Sequence, residues 1–258
     1  MPFLPYIGIT DFTDFSQVGR MLTVFKTNLV EGQKRRLHVG VRMSLDTLHG
    51  RPTKLADAYV PKEHIASIFA SPETMNCLHY ADYDGVGLGC YQDLVEALTW
   101  GGDGINALQL DMTWPDPFAV EDALRTSGKE LQVILEVGAN AMKLAHYHPA
   151  KVVEELEVYE GIIHGVLLDR SLGQGLPVND DVFLRFAEAI SERFPSLELV
   201  AEGRLGPNTI EVVRPLAEKF PRISIGACEN LRPGGIASEP IDWDMAEAYL
   251  VRALALLK

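Results

Sequence analysis

Carboxylates that close apolar runs are the side chains in this sequence best suited to chemistry. "INALQLDM" runs up to Asp111, "LQVILEV" carries Glu136, "HGVLLD" ends on Asp169, "LELVAEG" holds Glu202, and "ISIGAC" is followed at once by Glu229. An acid at the rim of a buried strand can donate or accept a proton when burial or a second acid raises its pKa. Several acids converging on one point can instead hold a hard cation, because Mg2+ and Mn2+ favour oxygen ligands. Three readings follow. In the first, Asp169 is a general acid and Asp11, Asp111 or Glu136 is the base. In the second, Asp111, Glu136, Asp169 and Glu202 ligate Mg2+ or Mn2+. In the third, the domain binds a metabolite or a protein partner without catalysis.

Glycine supplies the other chemical signal. "AEGRLGPN" (201–208) holds Gly203, Arg204 and Gly206 ahead of a helical pattern, and "ENLRPGG" adds Arg232, Gly234 and Gly235. Amides at a helix start and a guanidinium are the components of an anion site, so the expected ligand is a small phosphorylated metabolite. Gly173 and Gly175, after Asp169, let a loop pass close to substrate. No lysine closes a strand, which disfavours a Schiff-base aldolase. His38, His146 and His148 read as structural. His79 is open to either reading.

These residues need a frame that brings strand ends together. Apolar runs at 5–10, 36–43, 105–112, 131–137, 164–169, 197–203 and 223–228, with a weaker one at 76–82, alternate with helical patterns at 14–30, 61–70, 91–100, 117–127, 139–159, 179–193, 207–219 and 242–257. Eight strand–helix repeats at even spacing predict a single (β/α)8 barrel over 1–258, with its site at the C-terminal ends of the strands. The stretch 44–60 exceeds an ordinary βα loop and reads as a lid or a surface insertion.

The totals narrow the partners. A net charge of -13 and a pI near 5.0 argue against nucleic acid and anionic membrane, and "QKRRLH" is the densest basic run. Cys77, Cys90 and Cys228 lack metal-site or disulfide spacing, which fits a reducing, cytoplasmic setting. The opening "MPFLPYIGITD" lacks the pattern of a signal peptide. A homo-oligomer is left open.

Four motifs carry a family resemblance. "YIGIT" (Gly8, Ile9, Thr10), "QLDM" (Gln109 to Met112), "LLDRSLGQG" and "AEGRLGPNT" occur in the order of strands 1, 4, 6 and 7 of phosphoribosylanthranilate isomerase. The chain resembles that family of ribulose-phosphate-binding barrels. The resemblance implies a phosphate between the last two loops, Asp169 as general acid of an isomerase and no cofactor. The position of the family's cysteine base is Ile7, which cannot accept a proton. The resemblance therefore implies an isomerase- or lyase-type reaction other than the family's own.

Overall fold

In a computed structural model, residues 3–53, 58–82, 90–169, 181–236 and 238–258 are described. Eight parallel strands close on themselves in chain order: β1 Tyr6–Thr10, β2 Arg36–Ser44, β3 Met75–Asp82, β4 Ala107–Met112, β5 Gln132–Val137, β6 Gly165–Leu168, β7 Glu198–Ala201 and β8 Ser224–Ala227. The chain is a (β/α)8 TIM barrel. β1 pairs with both β2 and β8, so no strand edge is left open.

Strand alternation divides the side chains into two populations. Ile7 and Ile9 of β1, and Leu37, Val39 and Val41 of β2, join the large core beneath the helices. Their alternates face the barrel axis. Tyr6, Cys77, Ala107, Ile134, Leu167 and Val200 make a separate apolar plug inside it. Because the side-chain period is two, each plug residue fixes the direction of later positions on its strand: Cys77 sets His79, Ile134 sets Glu136, and Val200 sets Glu202. The alternation that builds the core thus aims polar groups at the mouth.

Helices α1 Phe15–Asn28, α3 Lys62–Ile68, α4 Cys90–Trp100, α5 Pro117–Ser127, α8 Asp181–Arg193 and α10 Trp243–Leu256 lie where the helical periodicity predicts. α1 starts at a capping box in which Asp14 accepts from Ser16 and Gln17 reaches back, and α10 starts at Asp242, which accepts from Asp244 and Met245. Two expected helices are broken by proline. The pattern at 139–159 forms α6 Ala139–Leu144 and α7 Pro149–Leu156, separated by left-handed His146 and Tyr147. Pro149 lacks an amide proton and pushes His148 into extended backbone, so α6 cannot run on into α7. The pattern at 207–219 begins late, as a 3-10 turn at Ile210–Val213 leading into the six-residue α9 Arg214–Lys219, with Pro215 in its first turn. No regular helix therefore starts at Pro207.

Stretch 44–60 opens with a short helix, α2 Leu45–Leu48, capped reciprocally by Ser44 and Thr47. Residues 54–57 lie outside the described part, as do Gly173 and Gly175. No helix among the described residues is long and apolar enough to cross a membrane.

Candidate functional site

The C-terminal ends of the strands enclose a cavity of about 390 Å3 lined by Asp111, Glu136, Asp169, Glu202 and Glu229, the five strand-closing acids. Thr10, Arg42, His79, Asn140 and Cys228 complete its polar wall. Of the proposed acid–base residues, Asp111, Glu136 and Asp169 share this cavity.

Asp11 lies behind the wall, 2% exposed, with a left-handed backbone at φ 75°. Arg42 Nε is 3.0 Å from Asp11 Oδ1, Arg232 donates to Oδ2, and the Cys228 thiol donates to the same oxygen at 3.1 Å. Burial alone would raise the pKa of Asp11. The guanidinium groups of Arg42 and Arg232 more than reverse this and hold it below the ordinary carboxylate value. A carboxylate so stabilised is a poor proton acceptor, and its visible work is to hold two arginines.

Arg232 is 2% exposed and committed to the same network. Besides Asp11 it donates to the carbonyls of Cys228 at 3.0 Å and Glu239 at 2.6 Å. Gly203 and Arg204 line the cavity, with φ of 118° and 51°. Gly206 has a packing reason, since a Cβ there would stand 2.7 Å from the carbonyl of Asn230. Gly234 and Gly235 turn the last loop at φ 66° and 68°, away from the residues lining the cavity.

Beginning at the strand beside Arg42, whose register partner is His79, the acids crowd together. His79, Asp111 and Glu136, on adjacent strands β3, β4 and β5, each offer one ligand atom within 4.8 Å of the others. His79 Nε2 stands 3.4 Å from Asp111 Oδ2, and Gln109 Nε2 stands 3.4 Å from both His79 Nε2 and Glu136 Oε2. Contacts of that length are weak. Two buried atoms beside them, His79 Nδ1 and Gln109 Oε1, have no hydrogen-bond partner. Burial, then the charges of Asp111, Asp169 and Glu202, push the pKa of Glu136 well above the usual carboxylate range.

Glu202 folds down into the barrel. It fits only because β8 has Gly226 opposite, where a Cβ would collide with its carboxylate. Its Oε1 is shielded from solvent and unpartnered, and burial followed by the charges of Asp169 and Glu229 raises its pKa strongly, with Arg42 opposing. Burial and neighbouring acids thus favour the protonated form of both Glu136 and Glu202 relative to an ordinary carboxylate.

The donor set fits a divalent cation. One imidazole and two carboxylates, lacking thiolates, suit Mn2+ and tolerate Mg2+, and the buried His79 Nδ1 has no hydrogen-bond partner. Of the four carboxylates expected to hold a metal, Asp111 and Glu136 belong to this close group, joined by His79, while Asp169 and Glu202 line the same cavity.

Arg42 escaped the sequence reading, although the signal was there: an arginine inside the apolar run "RLHVGVRM", two residues after the inward Gly40. Cys228 was visible only as a free cysteine. Thr10 was visible only within the "YIGIT" motif, and Asn140 carries no signal without the fold.

No family model matches the sequence, and the search of curated proteins found no match. Solved structures do match. The tryptophan synthase alpha chain from Legionella pneumophila subsp. pneumophila superposes with a TM-score of 0.53 at 13% identity, covering 98% of this chain and 92% of its own. Phosphonopyruvate hydrolase superposes at 0.51 and 13%, covering 86% and 74%. A complex of that hydrolase with oxalate and Mg2+ gives 0.51 at 12%, with the same coverage. At these identities the likeness shows the barrel fold alone.

Proposed function

We propose that the chain is a divalent-metal-dependent barrel enzyme of isomerase or lyase type acting on a small anionic metabolite, phosphorylated or carboxylated. The observation that carries this is the buried His79–Asp111–Glu136 cluster in a mouth holding five acids. An anionic substrate entering that field without compensation would be repelled, since like charges a few ångströms apart in a partly buried site cost several kcal/mol. A cation at the cluster would neutralise the acids and polarise a substrate oxygen.

The protein's own groups then divide the work. His79, Asp111 and Glu136 would hold the ion, with Gln109 orienting the imidazole and Glu136. Glu202, whose pKa burial raises, is placed to give a proton, and Asp169 faces the same cavity as the second acid–base group. Arg42, fixed by Asp11, supplies positive charge from β2, the strand next to His79. Gly203 and the Arg204 side chain offer the remaining anion contacts. Ile7, fully buried in the outer core, offers no base on β1, so the phosphoribosylanthranilate isomerase reaction itself is not the one proposed. A phosphonopyruvate hydrolase with this fold has been crystallised with oxalate and Mg2+, which supports metal-assisted chemistry on small acids as one use of such a barrel.

Calorimetric titration with Mn2+ tests this. One site per chain is expected in the wild type, lost in both His79→Ala and Asp111→Asn. Wild-type protein that binds neither Mn2+ nor Mg2+ would overturn the reading.

A further inference from the structure

The mouth does not end at its acids. A second, very small cavity of about 10 Å3 abuts it through Asp111, Glu136 and Asn140, and a third of about 840 Å3 shares Asn140 with both and Thr113 with the second. The third is an open shelf bounded by Thr113, Asn140, Lys143, Leu144, His146 and Tyr147. Its character is the reverse of the mouth's. Leu144 is 64% exposed and Tyr147 52% exposed, and the alkyl stem of Lys143 adds to the apolar floor.

Two features argue that this apolar surface serves the site. His146 and Tyr147 are consecutive left-handed residues, at φ 52° and 54°, a conformation that β-carbon-bearing side chains adopt rarely and that bulky ones resist. The strain hides no ring in the core; it leaves Tyr147 presented beside the mouth. Asn140, the residue common to all three cavities, lies in the first turn of α6, between the acids and the shelf.

We propose that the substrate carries an apolar arm, aromatic or short alkyl, attached to its anionic head. The head sits in the mouth, and the arm crosses Asn140 onto Thr113, Leu144 and Tyr147. This deepens the functional reading above and rests on it for the head group. The site therefore prefers an anion with an apolar substituent over the bare anion of the same charge class.

Inorganic phosphate and phenyl phosphate are the probes, titrated calorimetrically into wild-type protein in millimolar Mn2+. Phenyl phosphate is expected to bind about tenfold more tightly, the gain from burying part of one ring. The double variant Leu144→Ser, Tyr147→Asn alters only exposed side chains, and Asn tolerates the left-handed backbone. It should keep Mn2+ affinity and phosphate affinity and lose the tenfold preference. Equal affinities in the wild type, a preference that survives in the double variant, or no binding of either anion would overturn the arm while Mn2+ binding leaves the metal reading standing. Absence of Mn2+ binding would sink the metal reading, and the phenyl preference measured without the ion would still judge the shelf. A wild-type dimer in sedimentation that the double variant dissociates would also overturn it, because the shelf would then be covered by a second copy.

Discussion

Two buried acids, Asp11 and Glu202, make opposite contributions to stability because their neighbours differ. Asp11 is held below its ordinary pKa of 3.8 by Arg42 and Arg232, so it favours the folded state at all pH values above that and loses the contribution as pH falls through its folded pKa. Asp11→Asn leaves two guanidinium groups facing each other without their counter-ion and should cost about 3–5 kcal/mol in denaturant melts near neutral pH. Glu202 is raised above 4.5, so the folded state binds the extra proton, and stability falls as pH climbs from about 4.5 through the folded pKa. Glu202→Gln should therefore stabilise the metal-free protein, with a gain that is small near pH 5 and larger near pH 8. A pH-independent difference would mean that Glu202 is ionised and solvated. Strand-closing acids were readable from sequence because they interrupt apolar runs. Which of them is paired and which is isolated was not, because that depends on Arg42 and Arg232 arriving from strands and loops 31 and 221 positions away.

At the level of elements, the alternation of β-strand side chains made the barrel readable, and local chemistry decided where the reading failed. All eight apolar runs became strands, including the weaker one over 76–82, since every one of them turns core residues outward and those of β1 and β3 to β7 also place an apolar plug residue inward. Helices failed where Pro149 and Pro215 entered an otherwise helical period, a signal present in the sequence but outweighed there by the apolar spacing on either side. Glycine gives the sharpest test of how the elements fit. Gly226 of β8 makes room for the Glu202 carboxylate at the end of β7, so Gly226→Ala should cost about 1–3 kcal/mol by overpacking. In a Glu202→Ala background the same change should cost much less, because the colliding group is gone, giving a coupling energy above about 0.5 kcal/mol in a double-mutant cycle. Additive costs would place Glu202 in another rotamer and remove it from the barrel interior.

For the whole molecule, charge is the property that ties the fold to its use. The chain carries a net charge of -13, and five of its acids meet in one cavity whose lining also includes Arg42 and Arg204. General surface repulsion responds to any salt, whose screening length is about 8–10 Å at 0.1–0.15 M. A specific ion at His79, Asp111 and Glu136 should behave differently. By linkage, a cation present at a hundredfold excess over its Kd stabilises the folded state by about 2.7 kcal/mol, which for a chain of this size corresponds to a rise in Tm of roughly 5–10 °C. Mn2+ should produce that rise at millimolar concentration, and NaCl at equal ionic strength should not. Because burial and three neighbouring acids raise the pKa of Glu136, the ion must displace a proton to bind, so the rise should shrink as pH falls toward about 5. His79→Ala should abolish it. An equal rise with NaCl, or one untouched by pH and by His79→Ala, would assign the stabilisation to the acidic surface at large and leave the mouth without its metal.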